Sequence, residues 1–471
     1  MRHGCLQGVH EMEDGEKKQK RYPEGGGMRY RMVIIALVLV IIIPPTTIWA
    51  MEKLSLREAI EMAMKGNPEI RAFTWSVRAH EEDINIARAH WYPKLIMEER
   101  FLRTDNPTYS FMAKLNQERF TQADFAIDAL NNPEPVSDFQ TSFRFEQPLY
   151  APQISIRIDM AEGTLKSRKL EFERKKEEVA LKVVKAYLNI QKAKAYVAIS
   201  RKAVEDAKEH KRLAMLRYEN GLGLYSDLLR AEVALKDAER KLTSSETSLS
   251  IARKALGLLL GSTEPFDAGQ ESPPFSLDSI DVYLSATKQR TDLLSLKRKE
   301  QIASRAVDLE KTALLPQIGL GGSYQINDHR RPLGAEGGSY MISAFLRWNF
   351  FDATTSAKIR KARAAVKEVR EYRKGLEKEI AFRVHEAYEK VMEKKKEIEL
   401  ARASLKEAEE ALRLVEKRYE NSLSPMVDLL DTQVMLDTAR AKLVDAENSY
   451  IASLAELYYQ SGILMKMISQ F

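Results

Sequence analysis

Two similar stretches of the chain carry acidic residues at matched positions. RYENGLGLYSDLL begins at Arg217 and RYENSLSPMVDLL begins at Arg418, so Asp227 and Asp428 occupy the same place in each stretch. A carboxylate in the first turn of a helix complements the positive end of the helix dipole, which is the simplest role for both aspartates. Any further role depends on the elements that position them.

The rest of the sequence offers no constellation for catalysis, for a cofactor or for a metal. The stretch GLGLYS lacks a third glycine and follows a predicted helix, which excludes a dinucleotide-binding loop. There is no Walker A motif, and the single cysteine is Cys5. The net charge is only +6 over 471 residues, which indicates no nucleic-acid partner. The histidines beyond residue 50 show no ligand spacing: His80, His90, His210, His329 and His385.

The N-terminal region predicts export. Residues 28–50 have the form of a signal peptide, with a basic start, an apolar run at 32–43, and Ile48 and Ala50 at an imperfect cleavage site. The apolar run is short for a membrane-spanning helix, which needs about 20 residues, and a retained anchor is the alternative. Residues 1–27 are interpreted as an upstream leader outside the fold, and the true start codon stays open.

The two quoted stretches belong to a longer internal repeat. At an offset of 201 residues, ten of 18 positions are identical between 212–229 and 413–430, and Gly261 aligns with Gly462. A period this long indicates duplication of a whole structural half rather than a small solenoid. We therefore predict a first repeat at 51–262 and a second at 263–471, each with a helix, two strands and a long helical hairpin.

Each repeat contains a very long predicted helix. From about Ala353 to Asn421 there is no proline and only one glycine. At 1.5 Å per residue such a helix is about 100 Å long, a length that is also typical of a simple coiled-coil rod. Its apolar residues recur at heptad a and d positions, which predicts a packed seam. They are Val391, Ile398, Leu405, Leu412 and Tyr419, with Ala401, Ala408 and Val415 three residues away.

The repeated stretches interrupt these helices and predict chain reversals. Gly221 and Gly223 are predicted to end the first long helix. After the second long helix, Ser424 is predicted as the N-cap and Pro425 as the first helical residue of the next helix. The predicted hairpin tips comprise Tyr218, Asn220, Gly221, Leu222 and Gly223 in the first repeat and Asn421, Ser422, Leu423 and Ser424 in the second.

Four segments alternate apolar and polar residues as β-strands do: 94–103, 139–149, 317–326 and 339–350. Glu99 and Arg103 interrupt the alternation in the first. The pattern fits a half-buried soluble sheet as well as outer-membrane strands, and the export signal favours the second. Four strands cannot close an open barrel, and unpaired edges are not tolerated in lipid. Several subunits must therefore share one barrel.

The order of these elements, present twice, resembles that of the TolC-like outer-membrane efflux proteins. The resemblance covers residues 52–464 and is carried by LSLREAIEMAMKGNPEIRA, WYPKL, LLPQI, FEQPLYAP, LRWNFFDA and the two tip stretches. It implies a mainly α fold with a small transmembrane β part. Each chain would contribute long coiled-coil hairpins and four strands to a homotrimer, with a twelve-stranded barrel in outer-membrane lipid and an α-helical tunnel in the periplasm.

The resemblance also implies a function. The chain would be a passive outer-membrane conduit, not an enzyme, in a tripartite efflux or secretion system with a periplasmic adaptor and an inner-membrane pump. The competing interpretation is an exported coiled-coil structural or adhesion protein without a pore.

Residue roles at the tips follow from the same resemblance. Asp428 and Asp431 match aspartates that ring the periplasmic aperture, where three copies would attract cations. Tyr419 matches a gating tyrosine and Asp227 its acidic partner, while dipole and seam-packing roles stay open for them. Ser424 stands where an arginine helps lock the closed tip, so the lock is expected to differ. The tip residues named above are expected to contact the adaptor.

One segment departs from the family pattern. Residues 104–138, between the first two predicted strands, are about 22 residues longer than their counterpart in the second repeat. They are expected to form an extracellular loop. The loop would act as a plug of the channel or as a target for phages and antibodies, or it is an insertion that the fold simply tolerates.

Overall fold

Long helices dominate the structure, a computed structural model that describes residues 53–271 and 275–469. The predicted leader and signal peptide at 1–50 lie outside the described residues. No helix in the described part is both long enough and apolar enough to cross a membrane. The helices are α1 (Leu56–Gly66), α2 (Pro68–Ala89), α3 (Pro107–Asn116), α4 (Ile127–Asn131), α5 (Pro152–Glu219), α6 (Tyr225–Leu260), α7 (Ile280–Ala286), α8 (Thr291–Lys311), α9 (Ala353–Glu420), α10 (Met426–Ser461) and α11 (Leu464–Ile468).

The strands form two sheets. They are β1 (Lys53–Leu54), β2 (Lys94–Thr104), β3 (Val136–Tyr150), β4 (Asp267–Ala268), β5 (Gln317–Asp328) and β6 (Gly337–Arg347). The short strands β1 and β4 pair in parallel, while the other four form an antiparallel sheet in the order β2-β3-β5-β6. All four predicted strands are confirmed. Within the described residues, the edge strands β2 and β6 each pair on one side only.

The two helical hairpins have the same dimensions. Helices α5 and α9 contain 68 residues each, and α6 and α10 contain 36 each. Both shorter helices end at a glycine in the left-handed conformation, Gly261 at φ +82° and Gly462 at φ +76°. The sequence repeat is therefore also a repeat of helix length, with the predicted span of α9 confirmed almost to the residue.

The predicted seam of α9 packs inside the bundle. Val391, Ala408, Leu412 and Tyr419 are buried, and the other seam residues are half-buried. The main core lies where the middle of α5 and α9 meets α1, α7 and the ends of α6 and α10. Its large buried side chains include Tyr187, Tyr283, Leu256, Val384 and Tyr458.

Each predicted helix that leads into a strand pair is divided in the structure. Asn67 both ends α1 and begins α2. Its backbone N–H donates to the carbonyl of Ala63 (2.9 Å), while its side chain accepts from the backbone N–H of Glu69 (2.8 Å). Pro68 has no N–H to continue α1 and is well placed at the first turn of α2. In the second repeat, the break between α7 and α8 lies at 287–290.

The strand register sorts the large sheet into two chemically distinct faces. Residues directly opposite in an antiparallel pair point to the same side. One face is apolar and exposed; its members include Leu95, Met97, Phe101, Phe143, Tyr324, Tyr340, Ile342 and Leu346. The other is mainly polar; its members include Glu98, Arg100, Asp138, Gln140, Ser142, Arg144, Gln325, Asn327 and Ser339.

Glu99 is one of the two residues that interrupt the alternation of the first strand, the other being Arg103. Glu99 lies on the apolar face opposite Thr141, whose hydroxyl donates a hydrogen bond to its carboxylate. Thr141, the cross-strand partner, thus supplies one hydrogen bond to the Glu99 carboxylate, at a position where the alternation predicts an apolar residue.

Candidate functional site at the hairpin tips

The two tips share one backbone conformation. In the first, the N–H of Leu222 donates to the carbonyl of Arg217 (2.8 Å) and that of Gly221 to Tyr218 (3.0 Å). In the second, Leu423 donates to Arg418 (2.7 Å) and Ser422 to Tyr419 (3.0 Å). This pair of bonds is the Schellman motif that closes a helix C-terminus.

The motif requires one left-handed residue at each tip. Gly221 takes this position at φ +72°, and Ser422 takes it at φ +61°. A residue with a Cβ atom pays about 1–2 kcal/mol for this conformation. Ser422 therefore holds a strained backbone, and its side chain has a contact that glycine could not make.

That contact comes from Arg217, at the end of the other hairpin's long helix. Its Nη2 atom donates to the Ser422 hydroxyl (2.8 Å) and to the Leu222 carbonyl (3.4 Å). Its Nη1 atom donates to the Tyr419 carbonyl, and the guanidinium carbon lies 4.7 Å from the centroid of the Tyr419 ring. One arginine thus ties the first tip to the second.

A cavity of about 480 Å³ separates the two tips, with Arg217, Asp227, Tyr419 and Ser422 among its lining residues. Burial raises the pKa of Tyr419, and the nearby Asp227 adds to this while Arg217 opposes it. The structure therefore brings the predicted pair Tyr419 and Asp227 to one cavity. The nearest cation to Asp227 is Arg230 on its own helix, at 3.9 Å.

The predicted cap of the second tip is wrong by one position. Pro425 is the N-cap, with extended backbone angles, and α10 begins at Met426. The proline fits this place because it needs no N–H donor there. Ser424 precedes the cap, and its hydroxyl instead donates to the Asp428 carboxylate (2.7 Å).

The two aspartates expected at the aperture lie on α10 outside the cavity lining. Asp428 and Asp431 are both exposed to solvent, three residues apart on neighbouring turns. Asp428 sits in the first turn, where its charge also complements the helix dipole. Both roles weighed for Asp428 are therefore compatible with its position.

Of the remaining tip residues, two asparagines stabilise the turns and two leucines are exposed to solvent. The side chains of Asn220 and Asn421 each donate to a carbonyl one turn back, Leu216 and Lys417, at 2.7 Å. Leu222 and Leu423, by contrast, are 71% and 68% exposed. Gly223 approaches the Arg217 backbone so closely that a side chain there would crowd it.

Among the described residues, one group of three side chains has metal-ligand geometry. Asp328 is the last residue of β5, and His329 and Glu336 lie in the turn that leads to β6. Their polar atoms already serve that turn: Asp328 accepts the backbone N–H of Arg330 (2.7 Å), and His329 contacts Glu336. Arg330 also donates to the other ring nitrogen of His329 (2.9 Å), and its positive charge opposes a bound cation.

Sequence reasoning missed Arg217 as a site residue. Both tip stretches begin with Arg-Tyr, which was the available signal. The structure shows that an arginine of the first hairpin contacts the second tip, while the altered lock expected from Ser424 stays a prediction.

With the geometry in place, the comparisons with known proteins identify the family. The outer membrane efflux protein model matches residues 59–262 and 282–462, most of the chain and both hairpins. The chain therefore belongs to the outer membrane efflux protein family, whose place is the bacterial outer membrane with a helical tunnel in the periplasm.

Comparisons with individual proteins are consistent with this family assignment. Outer membrane protein TolC of Vibrio cholerae is 29% identical over 187 residues, 39% of this chain and 41% of TolC, so the match spans less than half of that relative. The alkaline protease secretion protein AprF of Pseudomonas aeruginosa is 19% identical over 428 residues, 87% of this chain and 85% of AprF. A crystal structure of CusC superposes with a TM-score of 0.72 at 16% identity, over 88% of this chain and 93% of CusC.

Proposed function

We propose that the protein is the outer-membrane channel of a tripartite efflux or secretion system. Three copies would form a twelve-stranded barrel, and their helical hairpins would continue the wall as a tunnel into the periplasm. The channel is passive and not an enzyme. Its energy would come from an inner-membrane pump, reached through a periplasmic adaptor.

The observation that carries this proposal is the four-stranded sheet. Its strands of 11 to 15 residues are long enough to cross a bilayer, which takes about 9–11 residues in a tilted strand. One face is apolar and exposed, with Tyr340 at 79% and Ile342 at 80%. A soluble monomer rarely leaves such a face bare.

The free edges of the sheet require identical neighbours. In hydrocarbon, each unpaired backbone N–H or C=O costs several kcal/mol, so an open sheet edge is excluded. Pairing β2 of one copy with β6 of the next satisfies both edges with the same operation. Repeating it three times closes a ring of twelve strands, with the polar face inside.

At the other end, the hairpin tips would form the gate. Arg217, Tyr419 and Asp227 would hold the two hairpins of one subunit together in the closed state. Asp428 and Asp431 would ring the aperture in three copies and attract cations. The exposed leucines at 222 and 423 would contact the adaptor, which would open the tips.

The trimer and the pore can be tested directly. Detergent-solubilised protein should run as a heat-labile trimer on gels and should conduct ions in planar bilayers. The competing interpretation, an exported coiled-coil structural or adhesion protein, predicts neither result. The family match disfavours it, and a monomeric chain without conductance would restore it.

A further inference from the structure

The long insertion between β2 and β3 is folded and fixed to the polar face of the sheet. Gln117, just after α3, donates to the Asp138 carboxylate (2.7 Å) and to the Ser137 carbonyl (2.9 Å). Asn327 donates to both oxygens of the same carboxylate (2.9 Å each). Asp138 is thereby buried under the insertion.

A second contact confirms which face α3 covers. Gly337 of β6 lies opposite Asn327 and shares the polar face. A Cβ atom built on Gly337 would stand 2.1 Å from the backbone oxygen of Asn116, the last residue of α3. The glycine is needed because the helix end approaches the sheet backbone too closely for any side chain.

The opposite side of α3 is apolar and uncovered. Ser110 and Ala113 are buried toward the strands. One half-turn away, Met112 is 51% and Leu115 is 45% exposed, with Tyr109 beside them at 60%. Helix α3 thus packs small side chains against the sheet and leaves large apolar side chains exposed, so this surface lacks a partner in the described part of a single chain.

We propose that this surface of α3 binds the same surface of the neighbouring copies, so that three insertions meet over the extracellular mouth of the channel. This inference rests on the trimer proposed above. The polar face then encloses the bore, and everything fixed to that face at the strand ends points toward the threefold axis. The bare side chains Tyr109, Met112 and Leu115 converge there and are buried by one another.

The dimensions of the barrel leave little room for any other arrangement. Twelve strands spaced by about 4.8 Å and tilted by about 40° close at a backbone diameter of roughly 24 Å. Three helices about 10 Å across, side chains included, occupy a circle of roughly 21 Å. Three copies of α3 held over this mouth cannot avoid contact, and the exit becomes a second constriction.

Cysteine crosslinking tests the proposal in the trimer itself. In a Cys5→Ser background, Met112→Cys should form a disulfide between subunits on mild oxidation, giving a covalent dimer band on a denaturing, non-reducing gel. The matched control is Tyr340→Cys, which is more exposed but lies on the apolar outer face. It should stay monomeric on the same gel.

The outcomes separate this inference from the proposed function. An intact heat-labile trimer whose Met112→Cys chains stay uncrosslinked would overturn the contact at the mouth while leaving the channel in place. Equal crosslinking at position 340 would overturn it as well, since it would reflect random collision. Absence of a trimer in the unsubstituted protein would remove the proposed function and this inference together.

Discussion

Arg217 and Tyr419 join the two hairpins at their tips, with the guanidinium 4.7 Å from the tyrosine ring and a donated hydrogen bond to the tyrosine carbonyl. The two residues come from different repeats, Arg217 from the first and Tyr419 from the second. They meet where the tips of the two hairpins lie side by side. The contact links a strained residue, a buried ring and a charge in one small region. It is the clearest candidate for the element that holds the tips closed.

Replacing Arg217 with Ala should favour the open tip. Losing charge-assisted hydrogen bonds at this half-exposed place should cost the closed state about 1–2 kcal/mol, a factor of about 5–30 in the closed-to-open ratio. Single-channel recording should show more frequent or longer open periods. Arg212→Ala is the matched control, because Arg212 bonds only Glu209 on its own helix. Identical gating in both variants would exclude Arg217 as a latch.

Arg418 occupies the equivalent place in the second hairpin. Arg217 donates to the Tyr419 carbonyl, and the repeat equivalent of Tyr419 is Tyr218. In the proposed ring, Arg418 would therefore donate to the Tyr218 carbonyl of the next subunit. Glycine at 221 stands where Ser422 supplies a hydroxyl, so this contact has one acceptor fewer. We expect Arg418→Ala to open the channel too, but less than Arg217→Ala. A larger effect from Arg418 in the same recordings would contradict the expected ranking.

Two glycine substitutions should act in opposite directions. Gly221→Ala places a Cβ atom on a left-handed backbone and should destabilise the first tip by about 1–2 kcal/mol. Gly375→Ala, in the interior of α9 with open space around it, should stabilise its helix by about 0.5–1 kcal/mol. Hydrogen exchange at the Leu222 amide and along α9 measures both. Faster exchange in α9 of the Gly375 variant would be evidence against this reasoning.

Removing the exposed aspartates of α10 should change ion selectivity. In the proposed trimer, Asp428→Ala with Asp431→Ala would remove six negative charges from the aperture, so the preference for cations and the block by multivalent cations should weaken. Reversal potentials in a salt gradient give the measurement. Asp281→Ala, in the first turn of α7, is a control of the same charge change elsewhere. Unaltered selectivity would place both aspartates away from the ion path.

The insertion should lose stability in acid. The Lys114 ammonium (2.7 Å), followed by the backbone N–H and hydroxyl of Thr121, lowers the pKa of Asp124 to about 2. A carboxyl whose folded pKa is lowered stabilises the fold fully above its unfolded pKa of about 3.9, and this contribution is lost as the pH falls toward 2.

Hydrogen exchange in 107–131 should therefore be constant above about pH 5, after correction for intrinsic rates, and should rise between about pH 4 and 2. Asp124→Asn should show the acid-like rate already at pH 7. Asp128→Asn, in the first turn of α4, is the control. A pH-independent rate in the unsubstituted protein would show that the Lys114 contact does not stabilise the insertion.

Local patterns were enough to predict the strands and the long helices. Alternation located all four strands, and the absence of proline between 353 and 421 located α9, because both signals repeat along one element. The cap at Pro425 was misplaced by one residue, since Ser424 found a different partner in Asp428. Short-range spacing does not reveal which of two possible acceptors a hydroxyl will meet.

Contacts between distant parts of the chain could not be derived in this way. The bond from Arg217 to Ser422 joins residues 205 positions apart, and only the packing of two hairpins brings them together. The helices within 104–138 escaped detection because α3 has no strong apolar periodicity of its own. Its position is fixed by Gln117 and Gly337, whose roles appear only when the sheet is assembled.

The equal lengths of α5 and α9 restrict how this molecule can change. Adding one residue to a single long helix would advance its tip by about 1.5 Å and rotate it by about 100°. Arg217 would then miss the turn it binds, and one half of each subunit would protrude beyond the other. A longer or shorter periplasmic span therefore requires paired insertions or deletions of equal length, made at equivalent positions in α5 and α9.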